Sequence, residues 1–395
     1  MPEPSDTTID PTSPLDFPKD FEVLKRILRP AGGGVYVVST GLAEQQALMQ
    51  AIYRAPTAEA IEAAWHGVLQ RIGEARVVVL GVPSDTGAGF TRGANRAPAA
   101  LRSWLLQREH PMWAPDVLDV GDVRVVPQLL SDDMLSDRQL AATRAALYGD
   151  DPLAPSLPVS PLDMCKVAIQ LIYRHAPAVA PVVIGGDHSV AWPAFKAAFK
   201  HWELRHHRRL GLLHFDAHTD LLAERLGVKY CFATWARHAN RLLGGDGRLV
   251  QVGIRASGQR RAYWESHTGV KQYWAGDVEG RSVGEVADEI AAHLAARGVD
   301  ALYVSNDIDG TDPAFASATG TPEPGGLHPD FVSDLVHLLA QRFPLVAGDL
   351  VEVAPPLAHE VPGEPDTTLA TAARYLGDLV ALGGTQGKNA GVRST

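Results

Sequence analysis

The stretch LHFDAHTD, residues 213–220, decides how this sequence folds and what chemistry it carries. It continues the apolar run at residues 210–213, so we interpret it as the end of a buried strand. Asp216, His218 and Asp220 stand two residues apart, and alternate side chains of an extended chain share one face. The spacing therefore predicts that two carboxylates and one imidazole converge, as in a metal site or a catalytic cluster. Taken alone, the motif also fits an ordinary polar junction between a strand and a loop.

Two further motifs place similar residues after apolar runs. GGDHS, residues 185–189, contains His188, and its paired glycines allow the sharp turn that would bring this histidine close to its neighbours. SNDIDGTDP, residues 305–313, contains Asp307 and Asp309, which again stand two residues apart. We therefore expect all three motifs to meet at one edge of a sheet.

The three strand ends together supply four carboxylates and two imidazoles to one predicted crevice: His188, Asp216, His218, Asp220, Asp307 and Asp309. Four buried carboxylates without cations would repel one another, and their pKa values would rise. Two divalent cations would balance the four negative charges, and imidazole and carboxylate ligands suit Mn, Fe, Co, Ni or Zn. We therefore predict a binuclear metal site in which carboxylates bridge ions roughly 3.5–4 Å apart.

The bulk composition is that of an ordinary globular protein and disfavours several functional classes. The chain has 395 residues, of which 46% are hydrophobic and 21% charged, and its formal net charge is −10 at pH 7. This acidity disfavours binding to nucleic-acid phosphates. The two cysteines form no disulfide framework, and we see neither a secretory signal nor an apolar run long enough for a bilayer. We therefore predict a cytoplasmic protein without nucleic-acid or membrane partners.

The order of predicted elements indicates an α/β fold with a mostly parallel sheet covered by helices on both faces. Apolar runs predict seven strands, at residues 75–81, 117–120, 181–184, 210–215, 249–254, 301–304 and 345–353. We divide the chain into four segments: a disordered or surface tail at 1–18, a helical extension at 19–74, a catalytic domain at 75–382 and a loose tail at 383–395.

The motifs GGDHS, DAHTD and SxDxDxxDP, in this order, resemble the metal motifs of the ureohydrolase family, which includes arginase, agmatinase, guanidinobutyrase and guanidine hydrolase. The resemblance spans residues 75 to about 381 and implies a three-layer α/β domain of the arginase type with a binuclear site. By this resemblance, His188 and Asp220 would bind one ion, and His218 and Asp309 would bind the other. Asp216 and Asp307 would bridge the two ions.

Glu352 is the predicted substrate-binding carboxylate. In EVAP, residues 352–355, it resembles the glutamate of the family's EVNP motif, which binds the guanidinium group. Ala354 replaces the family's asparagine, so part of that motif is missing. A solvent-facing glutamate at an edge strand is the alternative interpretation. Thr91, in a glycine-rich loop after the first long strand, is expected to hydrogen-bond a substrate N–H.

The segment KYCFATW, residues 229–235, departs from arginase and agmatinase. Those enzymes carry a histidine there that is thought to handle protons, and Phe232 takes its place. A phenyl ring cannot transfer protons, so another group must protonate the leaving amine. Asp220, His238 and water at the metal site are the candidates, although His238 also fits an ordinary structural role.

Aromatic residues in three predicted loops, Phe232 and Trp235 with Phe90 and Phe315, predict a small, mostly apolar pocket. Such a pocket suits a compact cation, and ordinary core packing is the alternative. These departures, with the N-terminal region, most resemble the guanidine hydrolase branch, which uses nickel. The resemblance therefore implies two Ni²⁺ ions, although the ligand types alone do not separate Ni²⁺ from Mn²⁺.

We predict a hydrolase that converts guanidine, or a small substituted guanidine, to urea and ammonia or an amine. The alternatives are a subunit of a biguanide hydrolase acting on compounds such as metformin, and an agmatinase or guanidinobutyrase. A non-catalytic partner subunit is disfavoured because all six predicted ligands are present. The resemblance also implies a homo-oligomer, either a trimer or a hexamer, or a hetero-oligomer with a paralogue.

Overall fold

A computed structural model of the chain describes residues 16–108, 113–358 and 361–384. In these ranges nine strands form one sheet. They are β1 (Leu28–Arg29), β2 (Val77–Gly81), β3 (Val117–Val123), β4 (Ala180–Ile184), β5 (Leu210–Phe215), β6 (Leu249–Ile254), β7 (Lys271–Trp274), β8 (Ala301–Asp307) and β9 (Leu345–Val351).

The strand order in the sheet is β1-β3-β2-β4-β9-β8-β5-β6-β7. All neighbouring pairs run parallel except β1 and β3, which are antiparallel. Because parallel strands need crossover connections, helices lie between most successive strands. This topology confirms the predicted α/β class with a mostly parallel sheet.

Helices cover both faces of the sheet in the described ranges. They are α1 (Phe17–Ile27), α2 (Leu42–Tyr53), α3 (Ala58–Gln70), α4 (Ala97–Leu106), α5 (Asp137–Tyr148), α6 (Pro161–His175), α7 (Ala191–Phe199), α8 (Trp235–Leu242), α9 (Arg261–Thr268), α10 (Ala275–Val278), α11 (Val283–Ala295), α12 (Pro329–Ala340) and α13 (Asp366–Leu382). None of these helices combines the length and the hydrophobicity that a bilayer crossing requires.

The alternation of side chains along β2 shows how the three layers form. Val78 and Leu80 pack into a core shared with α1, α3, α6, α7 and α8. Val77 and Val79 point to the other face and pack with α4, α11, α12 and α13. The strands are therefore apolar on both sides, as a sheet buried between two helix layers requires.

The region before β2 is part of the same sheet and core. Strand β1 pairs with β3, and Trp65 of α3, which is 1% exposed, donates its indole N–H to the Val120 oxygen at 2.8 Å. The boundary that we predict at residue 75 stays a prediction. Of the predicted N-terminal tail, residues 1–15 lie outside the described ranges, and residues 17 and 18 belong to α1.

The predicted C-terminal tail begins at residue 383, and residues 385–395 lie outside the described ranges. Gly384 donates its backbone N–H to the Leu345 oxygen at 3.0 Å, so the first residues of this segment continue along β9 rather than leave the domain.

Candidate active site

Four adjacent strands, β4, β9, β8 and β5, deliver the predicted site residues to one edge of the sheet. His188 follows β4, Glu352 follows β9, Asp307 ends β8, and Asp216 follows β5. Carboxyl ends of parallel strands are where α/β folds place their functional groups. The six predicted metal ligands, which we call the His/Asp cluster, lie together at this edge.

Two glycines allow the backbone turns to pack closely enough for this arrangement. A Cβ atom on Gly186 would lie 1.8 Å from the Ser84 oxygen, and one on Gly310 would lie 2.8 Å from the Asp216 nitrogen. Any larger residue would push these turns apart. The glycines therefore hold the loops after β4 and β8 against their neighbours and set the separation of the cluster residues.

His188 forms one half of the His/Asp cluster. Its Nδ1 atom lies 3.3 Å from Asp216 Oδ2, 3.3 Å from Asp220 Oδ2 and 3.0 Å from Asp307 Oδ2. Asp307 Oδ1 accepts the Asp309 N–H at 2.9 Å. The side chain of His188 is 1% exposed, so this half of the cluster is shielded from bulk water.

His218 forms the other half. Its Nδ1 atom lies 3.1 Å from Asp309 Oδ2 and 3.4 Å from Asp216 Oδ1, and its side chain is 27% exposed. Asp216 therefore presents one oxygen to each half, which is the position of a bridging ligand. Asp307 contacts His188 through Oδ2, and its other oxygen is engaged by Asp309. The assignment of all six residues as ligands stays a prediction.

The charges of the cluster are not balanced by the protein itself. Burial, and then the charges of Asp309 and Asp216, raise the pKa of the Asp307 carboxyl well above its usual range. Burial and Asp216 also raise the pKa of Asp220. Burial alone would lower the pKa of His218, but hydrogen bonds with Asp216 and Asp309 raise it to about 12. The cluster therefore favours added positive charge.

One buried atom tests directly whether the cluster fits cations. His188 Nδ1 is surrounded by carboxylate oxygens but makes no hydrogen bond with any of them. Facing lone pairs of this kind repel unless a proton or a cation lies between them. Imidazole and carboxylate are the donors that divalent transition metals accept. The residues present therefore fit a pair of divalent metal ions.

Glu352 lies beside the cluster with one free side. Its Oε1 atom accepts the backbone N–H of His188 at 2.8 Å. Its Oε2 atom and the Thr91 backbone oxygen both border Gly320, at 3.9 and 3.6 Å from the position of a Cβ there. Burial, and then Asp307 and Asp187, raise the pKa of Glu352 well above its usual range. A carboxylate in this position favours an added cation.

The backbone of Glu352 supports a functional role for this residue. Its φ angle is 61°, in the left-handed region that non-glycine residues rarely adopt. Strained residues of this kind persist where the surrounding structure holds them, often at functional sites. The predicted substrate-binding role of Glu352 stays a prediction.

Phe232 joins two loops at the edge of the site. Its backbone N–H donates to the Gly87 oxygen at 3.0 Å, and its ring lies 3.7 Å from where Gly89 would carry a Cβ. The guanidinium group of Arg225 lies 5.1 Å from the centre of the ring. The loop that contains Thr91 is thus fixed against the segment in which Phe232 stands instead of a histidine.

The other aromatic residues are not gathered into one pocket wall. Trp235 is 1% exposed and packs on His188, with ring centroids 4.5 Å apart, while its indole N–H donates to Asp220 Oδ2 at 3.0 Å. We therefore interpret Trp235 as a residue that orients His188 and Asp220 rather than one that lines a pocket. Phe315 packs on His328 with centroids 4.6 Å apart, and Phe90 is 100% exposed.

His238, one of the two predicted proton-transfer residues, lies on α8. Its Nε2 atom is 3.0 Å from the Lys229 backbone oxygen, and its ring packs against Trp192 and Tyr230 with centroids 5.2 Å away in each case. The structure places it against these residues and not in the His/Asp cluster. Asp220, the other candidate, lies in the cluster.

Sequence reasoning missed the polar residues that support the cluster from within the strands. His214 lies 2.9 Å from Asp216 Oδ2 through Nε2, and Ser305 Oγ lies 3.0 Å from His188 Nε2. Asp349 accepts the Ser305 hydroxyl at 2.7 Å. The available signal was spacing, because His214 and Ser305 stand two residues before Asp216 and Asp307 and share their faces.

Comparison with known proteins is consistent with this geometry. The arginase family matches residues 75–381. Agmatinase of Bacillus subtilis (strain 168) is 30% identical over 308 residues, which cover 78% of this chain and 91% of that protein. Mitochondrial guanidino acid hydrolase of Homo sapiens is 30% identical over 282 residues, which cover 70% of this chain and 71% of that protein.

A solved structure also resembles this chain in fold. Proclavaminate amidino hydrolase from Streptomyces clavuligerus superposes with a TM-score of 0.59 at 27% identity, covering 78% of this chain and 92% of that chain. Arginase-family homologues are hydrolases that cleave C–N bonds of guanidino groups, and they use a binuclear site of divalent metal ions. The predicted ureohydrolase resemblance is confirmed, and the chain belongs to the arginase family.

Proposed function

We propose that this enzyme hydrolyses guanidine or a small substituted guanidine, giving urea and ammonia or an amine. The observation that carries the proposal is the Glu352 carboxylate, which is held by the His188 N–H at 2.8 Å and whose second oxygen, like the Thr91 backbone oxygen, borders Gly320. A guanidinium group needs such a planar acceptor for its N–H groups. Phe232 at the position of the family's histidine supports a compact substrate, because its ring closes against Gly89.

In this proposal the His/Asp cluster holds two divalent metal ions, and His188, Asp216, His218, Asp220, Asp307 and Asp309 are the ligands. Such ions, when bound, lower the pKa of a shared water so that hydroxide is available near neutral pH. Glu352 orients the guanidinium group toward the cluster, and Thr91 is available for a second substrate N–H. Addition of water at the guanidinium carbon and cleavage of one C–N bond yield urea and the amine.

The leaving nitrogen must gain a proton, and Phe232 cannot supply one. Of the two residues predicted for this step, Asp220 lies in the cluster and His238 is engaged with the Lys229 oxygen. We therefore assign the transfer to Asp220, whose Oδ2 atom is oriented by the Trp235 indole at 3.0 Å. This assignment excludes His238 from the reaction.

Nickel is the proposed metal, and manganese is the alternative because the family usually employs it. The donor set of the cluster accepts both ions. The chain is also proposed to form trimers or hexamers, alone or with a paralogue, in the cytoplasm. Size-exclusion chromatography with light scattering tests the assembly.

Hydrolysis of a guanidino acid is the second candidate. Arg225 lies over the Phe232 ring at 5.1 Å and would attract a substrate carboxylate while repelling the ammonium group of agmatine. One relative, the human protein, is named as a guanidino acid hydrolase. On this second candidate, 4-guanidinobutyrate is preferred over agmatine, and Arg225→Ala removes that preference.

The deciding experiment is urea release from a panel of substrates after loading with Ni²⁺ or Mn²⁺. The panel comprises guanidine, methylguanidine, metformin, agmatine and 4-guanidinobutyrate. The proposal expects the highest kcat/KM with guanidine or methylguanidine. Loss of dimethylamine from metformin leaves guanylurea rather than urea, so metformin turnover is read by mass analysis of the products. A preference for metformin would move the assignment to biguanides. No turnover of any member with either metal would overturn the proposal. Glu352→Gln is expected to raise KM because Glu352 lies beside the cluster, whereas Glu279→Gln, at an exposed position, should leave KM unchanged.

A further inference from the structure

A row of buried polar side chains crosses five neighbouring strands two residues before the cluster. Parallel register pairs Asp349 of β9 with Ser305 of β8, Ser305 with His214 of β5, His214 with Gln251 of β6, and Gln251 with Gln272 of β7. Each is at most 1% exposed. We call these five residues the polar row. Buried polar groups in this number are costly unless they serve a purpose.

The hydrogen bonds on one side of the row have a fixed direction. The indole nitrogen of Trp274 can only donate, and it donates to Gln272 Oε1 at 2.9 Å. Gln272 therefore directs its amide nitrogen to Gln251 Oε1, at 2.8 Å. Gln251 in turn directs its own amide nitrogen to Nδ1 of His214, at 2.9 Å. His214 Nδ1 is consequently an acceptor, and the ring proton lies on Nε2.

The proton on His214 Nε2 is directed at the cluster. This atom lies 2.9 Å from Asp216 Oδ2, the oxygen that also faces His188. Although His214 stands among potential ligands, its Nδ1 lone pair is occupied by Gln251 and its Nε2 carries hydrogen. It is a donor to a carboxylate and not a ligand. Ligating carboxylates commonly receive such a bond, which fixes their orientation.

The other side of the row fixes the tautomer of His188 by the same logic. The Ser305 hydroxyl donates to Asp349 Oδ1 at 2.7 Å, and the Tyr303 hydroxyl donates to Asp349 Oδ2 at 2.6 Å. With its hydrogen used, Ser305 Oγ can only accept from His188 Nε2, 3.0 Å away. The lone pair of His188 Nδ1 is therefore left facing Asp216, Asp220 and Asp307.

We propose that the polar row sets both tautomers, so that His188 binds metal through Nδ1 and His214 acts as a positioning residue that holds Asp216. This inference deepens the proposed function, because it rests on the cluster being a metal site. It assigns a role in metal affinity to Gln251 and Gln272, which contact no predicted ligand directly.

The first test compares three glutamine variants of similar shape. Gln251→Met is expected to weaken metal affinity by about 10–100-fold, because His214 loses the bond that fixes its tautomer. Gln272→Met should weaken it less, since Gln251 still contacts His214 and Thr219. Gln341→Met, at the exposed end of α12 and on the opposite edge of the sheet from the cluster, should leave metal affinity unchanged. Metal affinity is read by chelator competition, and the visible spectrum of the Co²⁺-loaded protein reports the ligand geometry.

A second pair of variants keeps the proposal falsifiable where Gln251→Met does not fold. His214→Gln can place an amide N–H near Asp216 Oδ2 and is expected to retain most of the metal affinity, whereas His214→Phe removes the donor and should lose it. Equal metal affinity in His214→Phe and the unchanged protein would overturn the inference. Because these measurements need no substrate, failure of guanidine turnover would affect the proposed function and leave the role of the polar row standing.

Discussion

Two buried groups of charged residues in the described part of the sheet differ in how their charges are balanced. On the side of β3, Arg102 is 0% exposed and donates to Asp119 and Asp122, and Asp122 also accepts the Gly32 N–H at 2.8 Å. At the ends of β4, β5 and β8, the His/Asp cluster leaves the buried His188 Nδ1 without a hydrogen bond. In the Arg102 group, the charged side chains bond to one another. In the His/Asp cluster, acceptor atoms remain available to bind a cation.

The two groups also act on different parts of the molecule. Through Gly32 and Asp122, the Arg102 group ties the N-terminal region to the β3 edge of the sheet. The His/Asp cluster joins the ends of three strands, β4, β5 and β8, in the middle of the sheet. Substitutions in the Arg102 group should therefore lower the free energy of unfolding, and substitutions in the His/Asp cluster should lower activity. Matched variants of the two groups, compared in stability and in activity, test that separation.

The largest expected effect is on activity, from Asp216→Asn. Asp216 presents one oxygen to each half of the cluster, so its amide would weaken the binding of both ions. We expect kcat/KM to fall by about 10³-fold or more, which corresponds to about 4 kcal/mol of lost transition-state stabilisation. Urea release measures the effect. Asp300→Asn, which affects only an exposed ion pair with Arg208, is the control and should stay within about twofold.

The second effect is on stability, from Arg102→Met. The substitution leaves two buried carboxylates without their cation, and breaking a buried pair in this way costs about 3–5 kcal/mol. Urea-induced unfolding measures the change, and the remaining folded protein should retain its metal content. Unchanged stability in this variant, or loss of metal with stability intact, would remove the distinction between the two groups.

Metal removal should lower the free energy of unfolding by no more than Arg102→Met does. Ions present at about 100 times their dissociation constant stabilise the folded state by about 2.7 kcal/mol. The melting temperature should therefore fall on chelation and recover on adding Ni²⁺ or Mn²⁺. Asp216→Asn should respond far less to either treatment. A melting temperature that is independent of metal in the unchanged protein would count against the cluster as the binding site.

A smaller effect is expected in the pH dependence of stability, which should run in opposite directions in the metal-free and the metal-loaded protein or be weaker in the latter. Burial and nearby carboxylates raise the pKa values of Asp307 and Glu352 in the folded state. Such groups stabilise the fold below their unfolded pKa, and this contribution is lost as pH rises through the folded pKa. Metal-free protein should therefore be more stable at about pH 6 than at about pH 8. The metal-loaded protein should show a weaker or reversed trend, because ligands bind ions when deprotonated.

The smallest effect is expected from His238→Ala. Its ring packs on Trp192 and Tyr230, and its Nε2 atom is engaged with the Lys229 oxygen. We expect kcat to change by less than about twofold, whereas loss of a general acid costs about 10²–10⁴-fold. A loss in that larger range, with an altered pH profile of kcat, would return His238 to the mechanism.

Much of the fold could be predicted from the sequence because buried parallel strands consist of continuous runs of apolar residues. The bounds of β5 and β6 match the predicted strands at 210–215 and 249–254. Strand β7, Lys271–Trp274, has no such run and was not predicted. Its Gln272 packs into the polar row, and only a tertiary arrangement that supplies hydrogen bonds makes glutamine suitable there.

The convergence of the His/Asp cluster was also predictable, because each motif ends a strand and carries its polar residues at even spacing. The polar row was not predictable, because the pairing of His214 with Ser305 and of Ser305 with Asp349 depends on the strand order β9-β8-β5. Nothing local in the sequence reveals that order. Trp235 was likewise assigned to a pocket wall because its burial behind Asp220 depends on how α8 packs.

Metal analysis of the dialysed protein tests the central claim most directly. The account predicts two divalent ions per chain in the unchanged protein and fewer in Asp216→Asn, while Arg102→Met that remains folded keeps both. A protein that binds no metal under these conditions, yet still releases urea from a guanidino compound in the presence of chelator, would contradict it.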